Sequence, residues 1–180
     1  MSLQVKRKGY GQVEPNHLSA QKTGQIYAQL PAKKNGAAIA QLEQGQFLKY
    51  NYAGGYAGLD GSGEWMLVYV EEKLYDPRKQ MHKDFCLKAA DFTDGLIYPR
   101  LLKTNIGDIF TTNTFGGAAS SDSVEVAGIT LAVNDEVEVD AATGFLKKSA
   151  ANSTAVPGFK VVKEYTMPDG QPGVKLQRIR

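Results

Sequence analysis

A chain of 180 residues has room for one medium domain or two small ones. A chain of this length buries roughly 70% of its unfolded surface, so it needs neither a metal nor a disulfide to fold. Lys and Arg number 21 against 19 Asp and Glu, a formal net charge of +2, which is too balanced for the protein as a whole to bind nucleic acid. The single cysteine, Cys86, excludes an intrachain disulfide and a cysteine-based metal cluster, and reads as a small packed side chain. Met1 to Gly11 carries charge but no following apolar core, so no signal peptide is expected. No stretch approaches the ~20 apolar residues of a membrane helix. Folding in a cytoplasm is the expectation.

Met1 to Gly11 reads as an arm in which Leu3 and Val5 alternate with polar residues, followed by Lys6-Arg7-Lys8 and Gly9-Tyr10-Gly11. It is either a solvated tail or an arm that docks on an acidic neighbouring surface. Glu14-Pro15-Asn16 is a turn, Gln25 to Leu30 a short strand, and Pro31 to Gly36 another turn. Ala37 to Gln44 is a short helix or a strand, broken by Gly45, and Phe47 to Tyr52 is strand-like. Gly54 to Gly63 is the most glycine-rich loop. A phosphate loop requires a helix to open immediately after it. The next segment, Trp65 to Val70, instead reads as a central strand covered on both faces. The loop is therefore a hairpin connection or a loop that reaches a partner.

Asp76-Pro77-Arg78 turns the chain, and Lys83 to Ala90 alternates Phe85, Leu87 and Ala89, favouring a strand. Asp91 to Gly95 turns again. Ile97, Tyr98, Leu101 and Leu102 around Pro99 suggest an edge strand or a bend. Ile106-Gly107-Asp108 leads into the strand-like Ile109 to Thr112. The same construction, an apolar residue, a tight polar turn and a strand, occurs at Leu42 to Tyr50 and at Val133 to Val139. Asn113 to Ser123, small and polar, is the best linker candidate. From Val124 to Ile179, short runs of period-two alternation are separated by Asn134-Asp135, Asp140 to Gly144 and Met167 to Gly173. Ser149 to Pro157 would project as a loop. The fold class is mainly β. A β-rich, loop-rich N-terminal part (1–115) and a linker (116–123) precede a small antiparallel β-barrel or sandwich (124–180).

Catalytic templates find little purchase. His17 and His82 stand alone on polar segments, so no zinc spacing is present. Ser62 lies in Gly61-Ser62-Gly63 rather than in a nucleophile elbow. Asp91 and Asp94 lack the further ligands of a calcium loop. Adjacent acids such as Glu71-Glu72 and Asp135-Glu136 point to opposite faces of a strand. Neither an enzyme nor a cofactor is expected. Tyr52, Tyr56 and Trp65 around the glycine-rich loop are either core and hairpin packing or an aromatic platform for sugars.

Three stretches carry a family resemblance. One is Asn105 to Asn113. Another is Phe159 to Gly170, ending in Val174 to Ile179. The third is Gly9-Tyr10-Gly11 with Asn16-His17-Leu18-Ser19-Ala20-Gln21. Together they resemble bacteriophage head proteins that accompany the major capsid protein: auxiliary, decoration or minor capsid proteins. The resemblance implies a non-enzymatic structural protein of the virion, assembled in the host cytoplasm and bound to the major capsid protein. Self-association to a homo-oligomer would link its copies, with no nucleic acid or membrane involved. The contact region expected on this reading is the arm: Leu3, Val5, Lys6, Arg7, Lys8 and Tyr10. Its deletion should then weaken attachment more than folding. The alternative is a carbohydrate- or receptor-binding module on the phage head.

Overall fold

The computed structural model describes residues 2–14, 25–34, 37–69, 74–76, 81–83, 86–88, 98–121 and 123–180. Among these, every regular element is a strand. In chain order they are β1 (Ser2–Lys8), β2 (Val13–Glu14), β3 (Ile26–Gln29), β4 (Lys33–Lys34), β5 (Ala37–Ala38), β6 (Gln41–Glu43), β7 (Phe47–Asn51), β8 (Tyr56–Gly58), β9 (Trp65–Tyr69), β10 (Leu74–Asp76), β11 (Met81–Lys83) and β12 (Cys86–Lys88). They continue with β13 (Arg100–Leu102), β14 (Ile109–Thr112), β15 (Glu125–Ala132), β16 (Glu136–Val139), β17 (Leu146–Lys148), β18 (Gly158–Thr166) and β19 (Pro172–Arg178). The expected turns at Pro15-Asn16, Asn35-Gly36, Pro77-Arg78 and Asp91 to Gly95, and the residues His17, Glu71, Glu72, Phe85, Ala89 and Ile97, lie outside the described residues.

Two sheets dominate. A five-stranded sheet runs in the order β3-β13-β9-β7-β8, and a six-stranded sheet runs β17-β16-β18-β19-β14-β2, antiparallel throughout. β1 and β15 form a separate antiparallel ribbon. β9 is the middle strand of the five. Trp65 and Leu67 join one hydrophobic cluster while Met66 and Val68 join another, so the strand is covered on both faces, as its unbroken apolar run requires. The larger cluster brings Phe47, Leu67 and Leu102 of the five-stranded sheet against Phe110, Phe159, Val161 and Leu176 of the six-stranded sheet. Three phenylalanines meet at its centre. The Phe159 ring lies 5.3 Å edge-on from Phe110 and 5.6 Å from Phe47, and all three are fully buried.

The mainly β expectation therefore holds, and the C-terminal strands form one layer of a sandwich rather than a closed barrel. Ala37 to Gln44 resolves into β5 and β6, not a helix. β13 is not an edge strand. It pairs with β3 on one side and β9 on the other, because Pro99 sits just outside it and removes no ladder donor. The division at 116–123 does not coincide with a break between sheets. β2 and β14 pair into the C-terminal sheet, and β1 lies along β15. Nor is that segment slack. Ala119 is buried, and Gly116 (φ 78°) lies so close to β15 that a Cβ would stand 2.1 Å from the Ala127 carbonyl oxygen. At Gly116 a side chain is excluded because the backbone there is pressed against β15.

Truncating the central ring tests this packing. Phe159→Ala should cost about 3–5 kcal/mol in urea unfolding, whereas Val156→Ala in the exposed loop should stay within about 0.5 kcal/mol.

Candidate functional site

The arm singled out in the sequence is a strand of the fold. Period-two alternation turns Leu3, Val5 and Arg7 inward and leaves Ser2, Gln4, Lys6 and Lys8 exposed. Val5 packs in the main core with Leu131 of β15, and Leu3 and Ile129 pack against it. Of the basic triplet, only the flanking lysines face solvent. Lys6 pairs with Glu125 across the ribbon. The Lys8 backbone is clasped by Gln171 of the β18–β19 hairpin, whose amide donates to the Lys8 carbonyl at 3.1 Å and whose oxygen accepts the Lys8 N–H. Tyr10 is half-buried.

Arg7 is 2% exposed, which removes it from any contact surface. Its guanidinium lies 2.9 Å from Glu43 Oε2 and donates to the carbonyls of Gly9 and Gly117. Glu43 is equally buried. Its Oε2 also accepts the Gly11 N–H at 2.8 Å, and its Oε1 accepts the Ala119 N–H at 2.6 Å and the Gln41 amide at 3.1 Å. Burial pulls the Arg7 pKa below its ordinary value, while the Glu43 charge and hydrogen bond push it back up. The pair thus ties β1, β6, the Gly9 to Gly11 turn and the 117–119 segment to one carboxylate. With every lone pair engaged, that carboxylate is a fastening and not a general base.

Next to the start of β1, an open groove of about 440 Å³ runs between Leu3 and the hairpin residues Lys163 to Thr166, Gly170 and Pro172. It mixes one cation, one anion and one tyrosine. It does not converge on a reacting centre. Among the described residues, no group of three or more His, Cys, Asp or Glu stands close enough to hold a metal ion. Cys86 is buried, and its thiol donates to the Leu87 carbonyl at 3.5 Å. No described helix is long and apolar enough to cross a membrane.

The expected aromatic platform separates. Trp65 and Tyr56 are buried. Lys49 sits 4.6 Å over the indole, and the Tyr56 hydroxyl donates to Asp60 at 2.7 Å. Tyr52 remains outside, and its companions are Tyr27 and Tyr50, which sequence reasoning left out. A period-two reading of Tyr50 and Tyr52 on one face was the available signal. Tyr27 sits on a strand remote in sequence, so nothing local pointed to it. The buried Glu43 was missed for the same reason: its partner lies 36 positions away.

No protein-family model, curated protein or solved structure matches this chain.

Two predictions follow from these polar contacts. Glu43→Ala should destabilise by about 3–5 kcal/mol in denaturant titration, because it leaves the Arg7 charge buried and unpaired. The apolar double substitution Arg7→Met/Glu43→Leu should recover part of that loss. It should remain below wild type, because the Gly11 and Ala119 amides are still left without an acceptor. The second concerns Asp135. The Lys148 ammonium at 2.6 Å, then the Ala132 N–H, hold its carboxyl below the ordinary value. A lowered folded-state pKa contributes stability above the unfolded value of about 4, and that contribution is lost as pH falls through the folded value. Asp135→Asn should therefore lower Tm at neutral pH, with the gap to wild type closing in strong acid.

Proposed function

We propose that this protein is a structural virion protein that binds and stabilises a phage capsid, as a decoration, cement or minor head protein. Its partner on this reading is the major capsid protein, its place the virion capsid, and its own state a homo-oligomer. The observation that carries the reading is the β1–β15 ribbon. Each of its strands has a ladder partner on one side only among the described residues, with Gln171 holding the Lys8 end of β1 and Gly116 lying against Ala127 of β15, and its outward row is Ser2, Gln4, Lys6 and Lys8. An open strand edge is a surface to which a neighbouring chain adds a strand through main-chain hydrogen bonds. The resemblance to phage head proteins at Asn105 to Asn113 and Phe159 to Ile179 supports the same reading.

The mechanism is mass action. A protein that binds the assembled shell and not its free subunits stabilises the shell by RT ln(1 + [L]/Kd) per site. Linking several copies makes each further contact intramolecular, so weak edge contacts add up to firm retention. The polar side chains fit this role better than turnover, since Arg7, Glu43, Lys6 and Glu125 are committed to one another.

Deleting the arm no longer serves as the test. Removal of Leu3 to Tyr10 would strip Val5 from the core and leave Glu43 without its cation, so folding would fail along with attachment. Charge reversal of the outward row is cleaner. Shells lacking the protein should gain resistance to heat when it is added, measured by the temperature at which they release their contents. Lys6→Glu/Lys8→Glu should weaken that protection while lowering Tm little, since the exposed Lys6–Glu125 pair contributes only ~0.2–1 kcal/mol. Absence of binding to shells by the wild-type protein would reject the proposal.

A further inference from the structure

On the five-stranded sheet, three tyrosines from two strands and a turn form a single cluster in which Tyr27 and Tyr52 are exposed and Tyr50 is half-buried. Tyr50 and Tyr52 stack with centroids 4.3 Å apart, and Tyr27 meets Tyr50 edge-on at 6.2 Å. The Tyr27 and Tyr52 hydroxyls share a hydrogen bond of 3.2 Å. Tyr52 is 57% exposed and Tyr27 39%, so the ring face of Tyr52 turned away from Tyr50 is open to solvent. Beside them Lys103 lies 3.9 Å over the Tyr27 ring and 3.0 Å from the Glu64 carboxylate.

The cluster is held from below by the glycine-rich stretch. The Gly63 N–H donates to the Tyr50 carbonyl, and a Cβ at Gly61 would stand 2.6 Å from that same oxygen. Glycine lets the β8–β9 connection run flush along the strand that carries Tyr50, which fixes the Tyr50 backbone. Aromatic side chains left exposed together, with their hydroxyls aligned and an ion pair at the rim, form an amphipathic surface. Such a surface meets a ligand that is apolar on its face and hydroxylated at its edge.

The geometry points to a saccharide-binding subsite. A neutral pyranose ring stacks its C–H face on the open side of Tyr52, and its hydroxyls reach the Tyr27–Tyr52 hydroxyl pair and the Lys103–Glu64 pair. The charge arrangement selects a neutral ligand. Lys103 is paired with Glu64, which it shares with Arg178 at 3.9 Å, so the rim carries one compact ion-pair group and not the cationic groove along the backbone that a single-stranded nucleic acid requires. The subsite lies away from the β1–β15 ribbon in sequence and in sheet, and it stands without the capsid reading.

Affinity electrophoresis in gels containing hydroxyethylcellulose, xyloglucan, galactomannan or soluble starch tests the assignment, with heparin and single-stranded poly(dT) as polyanion controls. Wild-type protein should be retarded by at least one neutral polysaccharide. Tyr52→Ala should weaken that retardation about 10-fold or more through loss of the stacking ring. Tyr52→Phe keeps the ring and should keep most of the retardation. Tyr27→Phe removes only the hydroxyl pair and should weaken it more mildly, which preserves the test if Tyr52→Ala fails to melt cooperatively by circular dichroism. Lys6→Glu/Lys8→Glu should leave it unchanged, separating this site from the capsid contact. Retardation by none of the four polysaccharides would overturn the assignment. So would retardation that Tyr52→Ala and Tyr27→Phe both leave intact, or retention by heparin or poly(dT) alone.

Discussion

The contact among Phe47, Phe110 and Phe159 is the interaction on which the rest of the fold depends. Phe47 comes from one sheet and the other two from the opposite sheet, so neither sheet completes its core without the other. A sheet with one bare apolar face is not stable in water, and the offset and edge-on rings seal the two faces at the density of a protein interior. Around this centre, Leu67, Leu102, Val161 and Leu176 extend the contact along the strands. The second cluster, on the far face of the five-stranded sheet, covers Met66 and Val68 with Leu42, Leu87 and Leu101.

The N-terminal strand is added to this sandwich by both apolar and ionic means. Val5 enters the same core as the phenylalanines, and Arg7, two residues on, enters a polar pocket where Glu43 waits. Burial of two charges is costly unless both are paired and all their remaining hydrogen-bonding groups are engaged. Glu43 meets its part of that condition with four donors, two of them backbone amides from separate segments. The pair therefore specifies where the chain ends of several segments converge, and it couples the strand at the terminus to the connection between the two halves of the sequence. Arg178 sits in a comparable setting. Burial lowers its pKa, opposed by Glu64 and then Asp108, and its guanidinium donates to Thr104 at 3.0 Å. Both buried arginines lie where strand ends meet turns, and there they tie backbone segments that no ladder reaches.

The surface that remains divides by chemistry. The ribbon offers strand edges with a polar, lysine-bearing row, suited to another backbone. The tyrosine cluster offers ring faces and hydroxyls, suited to a small hydroxylated ligand. The two are separate because they are built on different sheets.

Much of this was legible in the amino-acid sequence. Period-two alternation from Val124 to Ile179, turn residues at Asn134, Gly144 and Gly170, and the apolar run at Trp65 to Val68 determined strands, turns and a doubly covered central strand, because these are local consequences of the pleat and of backbone φ. The tertiary structure alone decided that the basic arm pairs with β15, that Arg7 turns inward to Glu43, and that Gly116 and Ala119 of the small-residue stretch lie against the body of the protein. It alone placed Tyr27 beside Tyr52. Each of these joins residues far apart in the chain. Pairing of that kind is set by which faces are left uncovered after the sheets have closed on one another, a quantity that no local pattern encodes.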